Sequence, residues 1–245
     1  MVPFQETVER VKDFYTFDKQ EIFGLLIATI VIGFVFSFRH WGEEQFNLMY
    51  GLKNLVIATI IAGFSLWFRI SAQKVYGFTS GQSNTYKVWW NGIVIMLVIA
   101  FLTRGWVPLV LVGGAISSFM VKQRLGEFRY GFSTWVLAIS AAWSIWAPLI
   151  LAALSAVGAY FFPQSLFFDI GMKMNLMMAF CSWLPLPQQD GLSLFFGSKG
   201  LWYLAILAIL SASVLLLTKT TIGLIVVLLA ATLIGIAVIL TGSEK

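Results

Sequence analysis

Few residues in this chain are suited to chemistry, and they stand at the edges of apolar runs. At 175–192 the run NLMMAFCSWLPLPQQDGL breaks at a Pro-x-Pro and arrives at Asp190 and Gly191. A charged aspartate at mid-membrane costs about 2.5–3.5 kcal/mol, so a buried Asp190 needs a partner or a purpose. In a helix-ending loop the same residue is simply hydrated. The chain has one histidine, His40, and one cysteine, Cys181. An internal disulfide and a multi-cysteine metal site are thereby excluded. Met172, Met174, Met177 and Met178, on either side of Asn175, are read with Cys181 as soft packing and not as a copper site.

The elements that hold these residues must lie in a membrane. Of 245 residues, 59% are hydrophobic and 11% charged, against roughly 25% charged in a soluble domain. Apolar runs recur along the whole length and leave no room for a separate soluble domain, so 1–245 is read as one integral membrane domain. The expectation is an all-α, polytopic transmembrane bundle of about six to eight spans. Candidate spans are 21–38, 54–69, 88–103, 106–121, 133–161, 174–188, 201–217 and 220–241. Segment 106–121, WVPLVLVGGAISSFMV, has a proline, β-branched residues and Gly113-Gly114, and reads either as a span or as extended, re-entrant chain. Extended backbone is tolerated at that depth only under protein cover or along a water-filled cavity. The start, MVPFQETVERVKDFYTFDKQE, has neither the basic nor the apolar region of a signal peptide, so the first helix is expected to stay.

The net charge of +5 belongs to basic residues spread over loops, which indicates membrane orientation and not nucleic-acid binding. With eight crossings, one side holds Arg39, Lys53, Arg104, Lys173 and Lys219, leaving eleven of the sixteen Lys and Arg residues on the other. That excess includes Arg69 and Lys74, the latter placed in a loop at 70–87. It puts both termini in the cytoplasm, for a protein expected in the plasma membrane. The count depends on 106–121 crossing.

The segment around Asp190 resembles the LPxPxxDG element of the site-2 protease family, intramembrane zinc metalloproteases. Pro185, Pro187, Asp190 and Gly191 match it, and Asn175 falls where many members carry an asparagine. The usual pattern also has an Asn three residues before the first Pro, a Pro-Leu before the Asp and a further Gly after it. Here those places hold Ser182, Gln188, Gln189 and Leu192. FSLWFRISAQKVYG at 64–77 is similar to the frame of the family's HExxH helix, with Ser65, Leu66 and Arg69 at the first His, the Glu and the second His. VGGAISSF, followed by RLGEFRYG and a long apolar helix, is similar to the segment that archaeal members place between the zinc helix and the aspartate helix. The resemblance covers 54–200 and implies a site-2-protease-like core, with 201–245 as a C-terminal helical hairpin.

Zinc hydrolysis of that kind needs two imidazoles at i and i+4, a carboxylate base and, in this family, the aspartate of the DG pair. One histidine, outside that frame, does not supply them. The resemblance therefore implies a degenerate homologue with no catalytic residues, no metal and no cofactor. Because Ser65, Arg69 and Asp190 would surround one metal in an active relative, it also implies that Arg69 and Asp190 converge as an ion pair. The competing reading has Arg69 snorkelling to headgroups and Asp190 in water.

Other features are plainer. RHWGEE, with His40, Glu43 and Glu44, is close to an inverted HxxEH metal motif whose final His is a Glu, and it reads as a solvated loop. Gly223, Gly235, Ala230 and Ala231 suit either close helix packing or lipid. Glu127 with Arg124 and Arg129 reads as an ordinary loop. The function expected is binding or scaffolding of a membrane-embedded peptide or partner subunit, the bilayer being the other partner. The alternatives are a small transporter or channel component, and a metalloprotease whose metal site is completed by another chain.

Overall fold

Long runs without charge leave the backbone only itself to bond with, and helices result. The computed structural model describes residues 4–41, 47–119 and 133–217 and positions 225, 226 and 229. Apart from those three positions, the span at 220–241 lies outside the described residues, as do the loop containing Arg124, Glu127 and Arg129, Glu43 and Glu44, and Gly223, Gly235, Ala230 and Ala231.

The elements are α1 (Phe4–Phe14), α2 (Lys19–Ser37), α3 (Leu48–Thr79), β1 (Gln82–Val88), α4 (Trp90–Leu102), β2 (Gly113–Phe119), α5 (Thr134–Phe161), α6 (Leu166–Trp183), α7 (Asp190–Gly197) and α8 (Lys199–Leu217). Among the described residues four helices, α2, α3, α5 and α8, are long and apolar enough to cross a membrane. They overlap the expected spans at 21–38, 54–69, 133–161 and 201–217, with α3 extending beyond 54–69 at both ends.

The outward faces support membrane embedding. Phe23, Leu26 and Ile30 on α2, Val56, Ile60 and Phe64 on α3, and Leu207, Leu210 and Val214 on α8 are exposed at helical spacing. Each stripe lies opposite small or branched residues turned inward, such as Ala28, Ala58 and Ala212. In water so large an apolar surface would aggregate; against lipid it is neutral. The interior forms two clusters, one among α2, α3, α4 and α6 and the other among α5, α6, α7 and α8.

Three expected spans differ. The apolar run at 88–103 forms only the 13 residues of α4, about 20 Å at 1.5 Å per residue, short of a bilayer core of about 30 Å. The run at 174–188 belongs to α6, which begins earlier, at Leu166, and stops at Trp183 before the two prolines. Of segment 106–121, the described residues 106–119 follow the extended alternative. Val110, Leu111 and Val112 cross the first cluster as irregular chain, and β2 pairs antiparallel with β1 from Val88↔Gly113 to Gln82↔Phe119. The helical bundle thus carries a two-stranded insert. In place of the loop expected at 70–87, α3 runs on to Thr79 and β1 follows, so Lys74 is a buried helical residue.

Candidate functional site

A 32-residue helix, α3, carries Ser65, Leu66, Arg69, Gln73 and Lys74, all buried. Positions 65, 69 and 73 recur at i+4 and so share one face. Asp190 arrives from the other direction, through a tightly turned connection. Pro185 brings no N–H, and Leu186 N donates to Leu184 O at 2.8 Å across it. Pro187 then opens a turn closed by Gln189 N to Leu186 O at 3.1 Å, with Gln188 at φ 59°. A proline followed by a left-handed residue is the arrangement of a type II turn. Gly191 lies directly on the carbonyls of Trp183 and Leu184, where a β-carbon has no room. The two prolines and Gly191 thus fold the chain back onto the end of α6 and deliver Asp190 as the first residue of α7.

Arg69 Nη2 donates to Asp190 Oδ2 at 2.6 Å and to Gly113 O at 3.1 Å, and Ala115 N donates to Asp190 Oδ1 at 3.0 Å. Arg69 and Asp190 are 1% and 3% exposed, so both charges are out of solvent. Gly114 lies between the two bonded residues, and a β-carbon there would stand 2.7 Å from Asp190 Oδ1. The ion pair therefore grips the edge of β2 turned away from β1, meeting one carbonyl and one N–H that burial would otherwise leave without a partner. Such a pair adds little net stability, but removing either member strands a buried charge at a cost of about 3–5 kcal/mol.

The remaining sequence-predicted residues have other roles. Ser65 is buried one turn before Arg69, and Leu66 is wholly buried in the first cluster. Asn175 turns its amide onto its own helix, Nδ2 to Gly171 O at 2.8 Å, and its Oδ1 is buried without a partner. It lies eight residues before the end of α6, about 12 Å along the axis, so it is not gathered with Asp190. Cys181 accepts a hydrogen bond from Val110 N at 3.3 Å, which helps satisfy the buried irregular segment.

A second buried pair, not anticipated from sequence, mirrors the first. Lys74 Nζ donates to Glu21 Oε2 at 2.9 Å and to Thr16 O at 2.7 Å, and it lies 4.2 Å from the centre of the Phe17 ring. Glu21 Oε1 accepts from Tyr86 N at 2.6 Å, and its Oε2 accepts from Asp18 N at 3.0 Å. Tyr86 and Ala115 are cross-strand partners. Each turns its N–H outward to a carboxylate, which identifies them as a non-hydrogen-bonded rung. That single rung is held on one edge by Glu21 and on the other by Asp190, each paired to a cation of α3. The only signals for this in the sequence are a glutamate opening an apolar run and a lysine five residues after Arg69.

Further polar contacts fix the hairpin to the bundle. Asn84 Nδ2 donates to Gln73 O at 2.6 Å and to Ser140 Oγ at 2.8 Å, while Ser117 Oγ donates to Asn84 Oδ1 at 2.6 Å. Burial pushes the Tyr86 phenol above its ordinary range, so its O–H remains a donor, here to Val112 O at 2.7 Å.

Chemically, the arrangement neutralises two pairs of buried charges and satisfies both edges of the hairpin. A zinc ion does not fit the residues present. At the positions that the resemblance gives to a zinc ligand and to the base, Arg69 brings a positive charge and Leu66 an apolar side chain, and both Asp190 oxygens are engaged. Among the described residues no three His, Cys, Asp or Glu side chains gather around a common point. Compared with protein-family models, curated proteins and solved structures, the chain matches none.

Proposed function

We propose that this chain is a non-catalytic, site-2-protease-like membrane protein that binds or scaffolds a membrane-embedded peptide or partner subunit. The observation that supports this reading best is the Arg69–Asp190 pair. The aspartate that the resemblance assigns to metal instead neutralises a guanidinium and satisfies the edge of β2. A place for a partner is available beside β1. A hollow of about 400 Å³ lies between that strand and the start of α2, lined by Glu21, Gly24, Tyr86, Val88 and Trp90. Phe23 and Trp90, exposed at its rim, offer an apolar approach from the lipid. The positive-inside count that places both termini in the cytoplasm requires 106–121 to cross, and with Gly113–Phe119 paired as a strand the count no longer assigns a side to either terminus.

The test uses the full chain in nanodiscs with a panel of synthetic transmembrane peptides and a photo-crosslinking residue at position 23 or 90. The expected result is crosslinking that depends on peptide sequence, with every peptide intact by mass spectrometry. Cleavage by the isolated protein, together with stoichiometric zinc, would instead establish the metalloprotease reading. Solute flux in protein-containing liposomes, without peptide crosslinking, would establish a transporter.

A further inference from the structure

We infer that the end of the bundle opposite Asp190 holds a binding site for a phosphate-bearing anion, supplied as the headgroup of an anionic phospholipid. The inference is independent of the reading of the Arg69–Asp190 site. It starts from a backbone outlier. Helix α4 ends with Gly105 N donating to Ala100 O at 2.7 Å and Arg104 N to Phe101 O at 3.2 Å. These are the paired bonds of a Schellman motif, in which the residue at Arg104's position adopts left-handed backbone and is usually glycine. Here an arginine adopts it, at φ 51°. Left-handed backbone is costly for a residue with a β-carbon, and where such strain is kept a functional reason is indicated.

The side chain that this turn presents lines a cavity of about 1050 Å³ among the ends of α2 and α4 and the start of α6. Among the described residues that line it, three cations, Arg39, Arg104 and Lys173, face one carboxylate, Asp169. Asp169 is paired with Lys173 at 2.6 Å, and among the described lining residues Arg39 and Arg104 carry the remaining positive charge. The Arg39 guanidinium lies 3.8 Å over the Trp106 ring. Stacking fixes its plane while leaving the in-plane N–H donors directed outward, the geometry suited to phosphate oxygens. Gly105 makes this closeness possible, since a β-carbon there would stand 3.0 Å from Arg39 Cγ.

Below the charges the wall is apolar, formed by Phe36, Ile170 and Met177. Trp106 is 69% exposed at the rim, as expected for an indole at a membrane interface. A cationic rim over an apolar wall matches a phospholipid, with the phosphate between the arginines and the acyl chain along α6. A free phosphate uses only the rim.

The full-length protein in detergent, offered equal amounts of phosphatidylglycerol and phosphatidylcholine, reports the preference by native mass spectrometry. Retention of phosphatidylglycerol about tenfold over phosphatidylcholine is expected, and excess inorganic phosphate should not displace it. Arg104→Gly should lower that retention about fivefold while leaving the unfolding temperature unchanged or higher, because glycine relieves the turn. Arg39→Gln should lower retention similarly. Equal retention of the two lipids, or both variants retaining phosphatidylglycerol like the parent, would overturn the site. Displacement by inorganic phosphate would overturn the lipid as its source. A fall in unfolding temperature for Arg104→Gly would assign Arg104 a structural role instead.

Discussion

The two ends of this bundle use the same residue types in opposite ways. At the hairpin end Arg69, Asp190, Lys74 and Glu21 are buried and closed on one another and on the strand edges, so each charge has its partners inside the protein. At the other end Arg39 and Arg104 are exposed around an open cavity, and the ion pair there, Lys173–Asp169, has its lysine 55% exposed. Charge enclosed in this way organises the fold, whereas charge left open is available to something outside it. About 28 Å of α2 separates the two, at 1.5 Å per residue over 19 residues.

If this contrast holds, substitutions at the closed end are costly and those at the open end are not. Asp190→Ala strands the buried Arg69 and frees Ala115 N, and should lower stability by about 3–5 kcal/mol, read as a large fall in unfolding temperature in detergent. Lys74→Met leaves Glu21 with its two backbone donors, so a loss near the lower bound, about 3 kcal/mol, is expected in the same assay. Gly114→Ala pushes a methyl group against Asp190 and should cost about 1–3 kcal/mol; thermal melts compared with Asp190→Ala would show whether both act through one contact. Lys173→Gln, which breaks an exposed pair, should change stability by no more than about 0.5 kcal/mol. A loss there as large as at Asp190 would erase the distinction between the ends.

Much of the scaffold was legible because span length and apolar composition are set by the bilayer, and α2, α3, α5 and α8 follow from those alone. The extended path of 106–119 was legible as one of two options, from Gly113-Gly114 and the β-branched residues. Convergence of Arg69 and Asp190 was expected only through the motif frame, since nothing local links residues 121 apart. The Glu21–Lys74 pair was missed because Lys74 follows the apolar run and looked solvated; only the continuation of α3 to Thr79 buries it. Strand β1, QSNTYKV, is polar and short, and its place depends on tertiary bonds from Glu21, Gln73 and Ser140. The end of α4 was obscured in another way, by an arginine standing where a helix stop usually shows glycine. Asp169 and Lys173 break the apolar run that would have marked the start of α6, although at i and i+4 they pair on one helix face.

A double-mutant cycle on Arg69→Met and Asp190→Leu, followed by reversible unfolding in mixed micelles, tests most directly whether these two side chains act as one enclosed unit. Each single change should be strongly destabilising, and the double change should lose less than their sum by about 2–3 kcal/mol. Additive losses, within about 0.5 kcal/mol, would contradict the account.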